Sequence, residues 1–332
     1  MSYAVKGAPF RYRGAINVED CTTSLDCMIK ANLNWEVAKC KLVAEIEDEN
    51  KNILHVDCPN AFGTYRTDLN IPLGVVKERY TPVQNNEAFK FFDGAIGKDK
   101  AIWQTAGFFG NGERIFVSAK LPNNIFVNGD PVDNYLVFTT SHDGSSGVKI
   151  LFTPIRVICQ NTLNAAIRKA ENFVSFRHTA SVHNNLDIAA EILGICDNKI
   201  KDLNEEYNQM YKIKMTDQQA QEVFAKTILS QTELDKIKFT GHTIGQIIMR
   251  DWKAIEDSEI SMKKVNVLSE MNNYYFSGVG QQTIIGTAWG VYGAITGYYS
   301  NVDNAMGAKR MDSLLYGDKS RKIETAGNLL LM

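Results

Sequence analysis

The segment Ser141-His-Asp-Gly-Ser-Ser-Gly147 brings an imidazole, a carboxylate and three hydroxyls into seven residues. Such a set supports two chemistries. His142 and Asp143 could exchange a proton as an acid–base pair, with Ser145 or Ser146 as nucleophile. The Gly- and Ser-rich backbone could instead receive a phosphate on its N–H groups. A third account needs no ligand: Asp-Gly turns the chain between two strands, and the hydroxyls satisfy backbone groups. Neither a GxSxG elbow nor a P-loop occurs in the chain. His142 and Asp143 therefore stand as candidates without a catalytic assignment.

A second set is basic. Lys149 and Arg156 lie on one expected strand, Arg168 and Lys169 on the helix after it, and Arg177 and His178 soon beyond. The helix N-terminus expected at Asn161–Thr162 offers free N–H groups to an anion. Arg156 interrupts the apolar run Thr153-Pro-Ile-Arg-Val-Ile-Cys159, where a buried guanidinium would need a partner such as Asp143 or Glu171. Arg114 and Lys120 bracket a hairpin arm beside Phe108, Phe109 and Phe116. Those rings, with Tyr80 and Tyr135, could stack on bases or fill a core. Read together, Arg114, Lys120, Lys149, Arg156, Arg168, Lys169, Arg177 and His178 form a candidate nucleic-acid-binding set. The net charge of −2 gives no global argument for such a partner, but charge can be segregated locally.

Metal and redox signals are weak. His55-Val-Asp-Cys58 pairs two ligand types with no second pair near it in sequence, so no metal or other cofactor is expected. Six scattered cysteines without a CxxC suit a reducing compartment. Cys159, close to Arg156, is either a reactive thiolate or a small buried hydrophobe. The first residues, MSYAVKGAPFRYRG, contain no apolar signal core. The expectation is a cytoplasmic protein.

The elements that must hold these residues follow from the patterning. The chain has 332 residues, 44% hydrophobic and 22% charged, enough for one large domain or two. Residues 1–34 lack periodicity and read as an N-terminal arm. Residues 35–182 read as an α+β core domain. It holds a hairpin from Trp35 through Asn52–Val56, a strand from Pro72, and a helix from Asn85 or Asn86 to Gly97. A second hairpin, Ile102–Phe109 with Glu113–Leu121, turns on Gly110-Asn-Gly112. Strands Tyr135–Thr140 and Val148–Phe152 follow, the second running on to Cys159, and then a helix capped by Asn161. Residues 183–332 read as helical, packing on the core or on a neighbouring subunit, with a boundary near Ser181–Asn184. Apolar residues from Leu186 to Met210 recur every three or four positions, a seam for the sheet or for another subunit. Thr216-Asp-Gln-Gln219 is a capping box, and further helices span Lys236–Trp252, Met262–Tyr275, Thr283–Tyr299 and Ile323–Leu331. The uncharged Thr283–Ser300 is short for a membrane span and reads as a buried core helix. Strands first and helices after define an α+β class: an antiparallel sheet with packed helices, then a helix-rich half.

Four strings carry a resemblance: Gly74–Asp93, Thr105–Pro122, Tyr135–Ala166 (YLVFTTSHDGSSGVKILFTPIRVICQNTLNAA) and Phe176–Val182. With Thr287–Val302 they resemble the phage/plasmid-like protein family, a domain-of-unknown-function family, over roughly residues 60–330. The resemblance implies a phage, prophage or plasmid origin and a product acting in the host cytoplasm. It implies no activity. The order helix, hairpin, two strands, helix also resembles, at fold level, the core of phage single-strand annealing proteins, which hold single-stranded DNA in a basic groove as oligomers.

The leading expectation is a non-catalytic, homo-oligomeric protein that binds single-stranded DNA, as a strand-annealing or recombination accessory. Two alternatives stand beside it. One is a self-assembling or host-interaction (anti-defence) protein with a host or phage protein partner and no DNA. The other is a nucleotide- or nucleic-acid-processing enzyme using His142 and Asp143.

Overall fold

A computed structural model describes residues 15–96, 102–156, 161–162, 173–179, 196–303, 313–314 and 317–332. Its main element is an antiparallel sheet built on the expected hairpin. Strands β5 (Ile102–Phe109) and β6 (Arg114–Lys120) flank a turn in which Gly110 and Gly112 take φ of 62° and 121°. β8 (Asp130–Ser141) pairs with β6, and β9 (Val148–Arg156) pairs with β8. Short β7 (Ile125–Val127) adds to β8; β10 (Asn161–Thr162) and β11 (Phe173–Phe176) both add to β9. Register aligns Val117 with Phe138 and Ile150, and Ala119 with Leu136 and Phe152; alternation puts Ile115 on the same face, and all seven are buried. Helix α2 (Asn85–Ile96) covers that face, with Phe89 and Phe92 set 5.6 and 5.5 Å from the Trp103 ring.

From Ala15 onward the stretch expected to be an arm belongs to this core. β1 (Ala15–Asn17) extends the sheet beside β5, and α1 (Ser24–Lys30), capped by Thr23, packs on α2. Val18, Cys27, Ala31 and Leu33 are fully or almost fully buried. A three-residue strand and a two-turn helix are too short to show a period in sequence. Residues 1–14 lie outside the described residues.

A second antiparallel sheet has the order β2 (Val37–Glu47), β3 (Ile53–Arg66), β4 (Ile71–Lys77). β4 pairs only with Ala61–Arg66 of β3, and the β2–β3 register slips between Lys41 and Val43. Val43–Glu47 and Ile53–Asp57 therefore continue as a two-stranded ribbon. Asp48 Oδ1 closes its tip by accepting from the N–H groups of Asn50 and Asn52 at 2.9 and 2.8 Å.

The second half is helical. α3 (Cys196–Lys212) turns Leu203, Tyr207 and Met210 into the chain's own interior, so this part of the expected seam is used within the chain. Thr216 and Gln219 form the expected capping box of α4 (Asp217–Ile228). The helix expected over Lys236–Trp252 is instead three short ones: α5 (Gln231–Phe239), α6 (Ile244–Ile248) and α7 (Trp252–Ser258). Ser230, Thr243 and Asp251 cap them separately, and Gly241 turns between the first two with φ 74°.

α8 (Met262–Ser277) follows, then α9 (Ala288–Gly297), a π-turn over Tyr298–Val302, and α10 (Asp318–Leu331). Every residue of α9 is buried, and no helix among the described residues is long and apolar enough to cross a membrane. The halves join through Asn208 Nδ2 donating to Phe126 O at 2.9 Å and Asn128 Nδ2 to the Tyr211 hydroxyl at 2.8 Å. One cluster of buried apolar side chains runs through both.

Candidate nucleic-acid interface

The SHDGSSG loop joins β8 to β9 and is closed by its own side chains. Asp143 Oδ1 accepts from Ser145 N at 2.8 Å; Ser141 Oγ accepts from Ser146 N at 2.8 Å and donates to Ser146 O at 2.6 Å. The second sheet clamps it from outside. Thr64 Oγ1 donates to His142 O at 2.6 Å and the Tyr80 hydroxyl to Ser141 O at 2.7 Å. Gly74 lies so close that a Cβ there would meet the Asp143 backbone at 2.6 Å.

The two catalytic candidates do not form an acid–base pair facing a substrate. His142 is fully buried, its ring edge-on to Trp35 with centroids 5.5 Å apart. Its Nε2 lies 3.0 Å from Asn85 Oδ1. Asn85 Nδ2 already donates to Leu33 O and Trp35 O, so Oδ1 accepts and Nε2 carries the proton. Burial, helped by neighbouring His178, pushes the His142 pKa down to about 3. A neutral ring sealed from solvent cannot relay protons to a bound molecule. Asn85, one of the two residues expected to cap the helix, is the polar link between this histidine and the Leu33–Trp35 backbone.

Beside it stands a group that sequence reading did not find. Arg66 is only 4% exposed. It holds both oxygens of Asp68 at 3.0 and 2.7 Å, donates to Asn111 O at 2.9 Å, and lies 4.3 Å from the Trp35 ring. That bond keeps the Asp68 carboxyl below its usual range. The cation is fully engaged in tying the small sheet to the hairpin turn.

The basic set divides. Arg114 opens β6 opposite Ser141, half-buried, and its Nη2 donates to Ser145 Oγ at 3.2 Å. Lys149, also half-buried, is in register with Thr139 and Ser175 on the same side of the sheet. Arg177 is exposed, two residues beyond Ser175. Arg114 on β6 and Lys149 on β9 share one sheet face toward the loop, and Arg177 follows the end of β11, whose Phe176 lies against Gly147 of the loop. Tyr80 stacks on His178 at 4.6 Å, and exposed Arg79 and Arg177 are their chain neighbours.

His178 itself is buried. Nε2 lies 3.1 Å from Thr140 Oγ1 and Nδ1 3.1 Å from Thr81 O, and burial lowers its pKa. It is a packing residue rather than a phosphate contact. Lys120 lies at the far end of β6, paired with Asp133 at 2.6 Å. Arg156 ends β9 opposite Val132 and Asn161, away from Arg114 and Lys149. Asn161–Thr162 pairs as a strand; residues 163–170, with Arg168 and Lys169, and Cys159 lie outside the described residues.

Between the two ends the face is closed. Phe116, Ser118, Val137, Thr139, Leu151 and Thr153 are buried, as is Tyr135. Of the two readings of Phe116 and Tyr135, core filling is the one their burial fits, and among the described residues no continuous basic track follows this face. Among the described residues no group of His, Cys, Asp or Glu is placed to hold a metal.

The described residues form an α+β protein of antiparallel sheets with a helical second half. A family model, Domain of unknown function (DUF932), matches residues 72–326, and the chain belongs to that family. β1, α1, β2 and β3 precede the matched segment. No curated protein and no solved structure matches the chain.

Proposed function

We propose that this chain is a non-catalytic protein of a phage, prophage or plasmid that binds single-stranded DNA by its phosphates in the host cytoplasm, as an accessory to strand annealing or recombination. The observation that carries this reading is the placement of Arg114 and Lys149 on one sheet face toward the loop, beside Ser145, with Arg177 following the end of β11. Phosphate contact needs accessible cations and hydroxyls rather than stacking platforms, and it makes affinity salt-dependent; Arg177 and Ser145 are exposed and Arg114 and Lys149 half-buried. The burial of His142 counts against an enzyme using His142 and Asp143.

Fluorescence anisotropy with a labelled single-stranded oligonucleotide tests the assignment. Arg177→Ala weakens binding several-fold, whereas Lys120→Ala, which removes a cation already paired with Asp133, leaves it unchanged. Equal affinities for the wild type and Arg177→Ala, or no binding at low salt, would remove the reading. The alternative of self-assembly without DNA is favoured by one observation, the apolar side chains on the β2–β3 ribbon.

A further inference from the structure

Beyond the Lys41/Val43 slip the β2–β3 ribbon presents Val43, Ile46, Ile53, Leu54 and Val56 with exposures from 46% to 66%. An isolated two-stranded ribbon is marginal in water, and a contiguous exposed apolar group marks a contact surface. Its two faces differ. Register pairs Ala44 with Val56 and Ile46 with Leu54, so one face is wholly apolar. The other sets Glu45 opposite His55, Glu47 opposite Ile53 and Val43 opposite Asp57. Among the described residues no strand pairs with the outer edge of β2. An open edge offers its N–H and C=O groups to a strand of another chain.

The free charge along that edge is negative. Glu45 and Glu47 are exposed. Of the cations on β2, Lys41 is paired with Asp57 at 3.8 Å, and Lys39 donates to the carbonyls of Glu78 and Tyr80. His55 lies 3.3 Å from Glu45, and at the tip Lys51 stands against Asp48 and Glu49. A strand that completes the ribbon must therefore be apolar on one side and basic on the other.

The sequence holds that pattern in Phe10-Arg-Tyr-Arg13, within a stretch from Met1 to Val18 that contains Lys6, Arg11 and Arg13 but no Asp or Glu. Alternate residues of a strand face opposite ways. Laid along β2, the string sets Phe10 and Tyr12 level with Ala44 and Ile46, and Arg11 and Arg13 level with Glu45 and Glu47. A shift by one residue would reverse both faces, so the pattern fixes the register.

Distance decides which copy supplies the string. β1 lies at one edge of the large sheet, beside β5. β3 runs away from it: Arg66 donates to Asn111 O in the β5–β6 turn, and Thr64 donates to His142 O in the β8–β9 loop. The ribbon continues that path. Three strand spacings, about 14 Å, separate β1 from β8, and Asp57 lies about 20 Å further along β3 from Thr64. Phe10 is joined to Ala15 by at most about 17 Å of chain. The string falls short of its own ribbon.

We infer that the string Phe10-Arg-Tyr-Arg13 of one copy adds to the β2 edge of the ribbon of a second copy. Exchange in both directions closes a pair; exchange in one direction builds a ring or an open chain. The inference does not rest on nucleic-acid binding.

Light scattering on the full chain, without nucleic acid and at high micromolar concentration, reads it. The wild type is expected as a multimer. Glu45→Lys with Glu47→Lys, and in a separate chain Arg11→Glu with Arg13→Glu, each set like charges against one another. Either pair should weaken association roughly tenfold or more and leave monomers. An equimolar mixture of the two variants matches each reversed surface with its reversed complement and each native surface with its native one, so it should assemble again. That recovery also shows that both variants are folded. A monomeric wild type, or a mixture that stays monomeric, would overturn the inference. So would loss of assembly in the ribbon variant alone, which would assign the ribbon to a different surface of the second copy.

Discussion

His142 sits between Asn85 and the Trp35 ring, where burial holds its pKa near 3 instead of 6.5. Below pH 6.5 the unfolded chain takes up a proton that the folded chain refuses. The stability linked to this group is therefore complete above that pH and is lost as pH falls toward 3. Between pH 6.5 and 5 the loss is about 2 kcal/mol, at about 1.4 kcal/mol per unit. His178, lowered by burial as well, adds in the same direction. His142→Gln should therefore lose less of its urea midpoint between pH 7 and pH 5 than the wild type does, and equal losses would contradict this account. The loop was legible in sequence as a cluster of reactive groups, and the turn reading of it, with Asp143 and Ser141 binding backbone N–H groups, agrees with the geometry. That its histidine points inward depends on Asn85, 57 residues away, and no local spacing carries that information. Arg66 was missed for the same reason: its partners Trp35 and Asn111 come from other elements.

Elements defined by local chemistry were read well. The Gly110-Asn-Gly112 hairpin needs only its turn residues and alternating arms, and the Thr216 capping box needs only four residues. The helices between Gln231 and Ser258 were blurred because their apolar spacing runs on across two breaks marked only by caps and by Gly241. The glycines of Thr283–Ser300 read as points of close approach, and α9 uses them so. A Cβ on Gly297 would enter the ring of Tyr274, which is fully buried and whose hydroxyl accepts from Asn301 Nδ2 at 3.1 Å. Glycine to alanine normally gains about 1 kcal/mol in a helix interior. Overpacking a ring that cannot move costs about 1–3 kcal/mol, so the clash wins. Gly297→Ala should lower the melting temperature, and an unchanged or raised value would show that Tyr274 can give way.

At the scale of the whole molecule, the α+β division was visible in the order of patterns, strands before helices. Which basic residues come together was not, because that depends on strand register. Arg114 and Lys149 are 35 positions apart in sequence yet share one end of a sheet, whereas Lys149 and Arg156, on the same strand, do not. The central claim is that phosphate binding is concentrated at that end. It is tested most directly by the salt dependence of single-stranded DNA affinity for the wild type and for Arg114→Ala/Lys149→Ala/Arg177→Ala. Each phosphate contact to a single strand contributes about 0.7 to the slope of log affinity against log salt. Removing three should lower the magnitude of the slope by about 2, with Lys120→Ala unchanged as the reference. Identical slopes for the wild type and the triple variant would contradict the account.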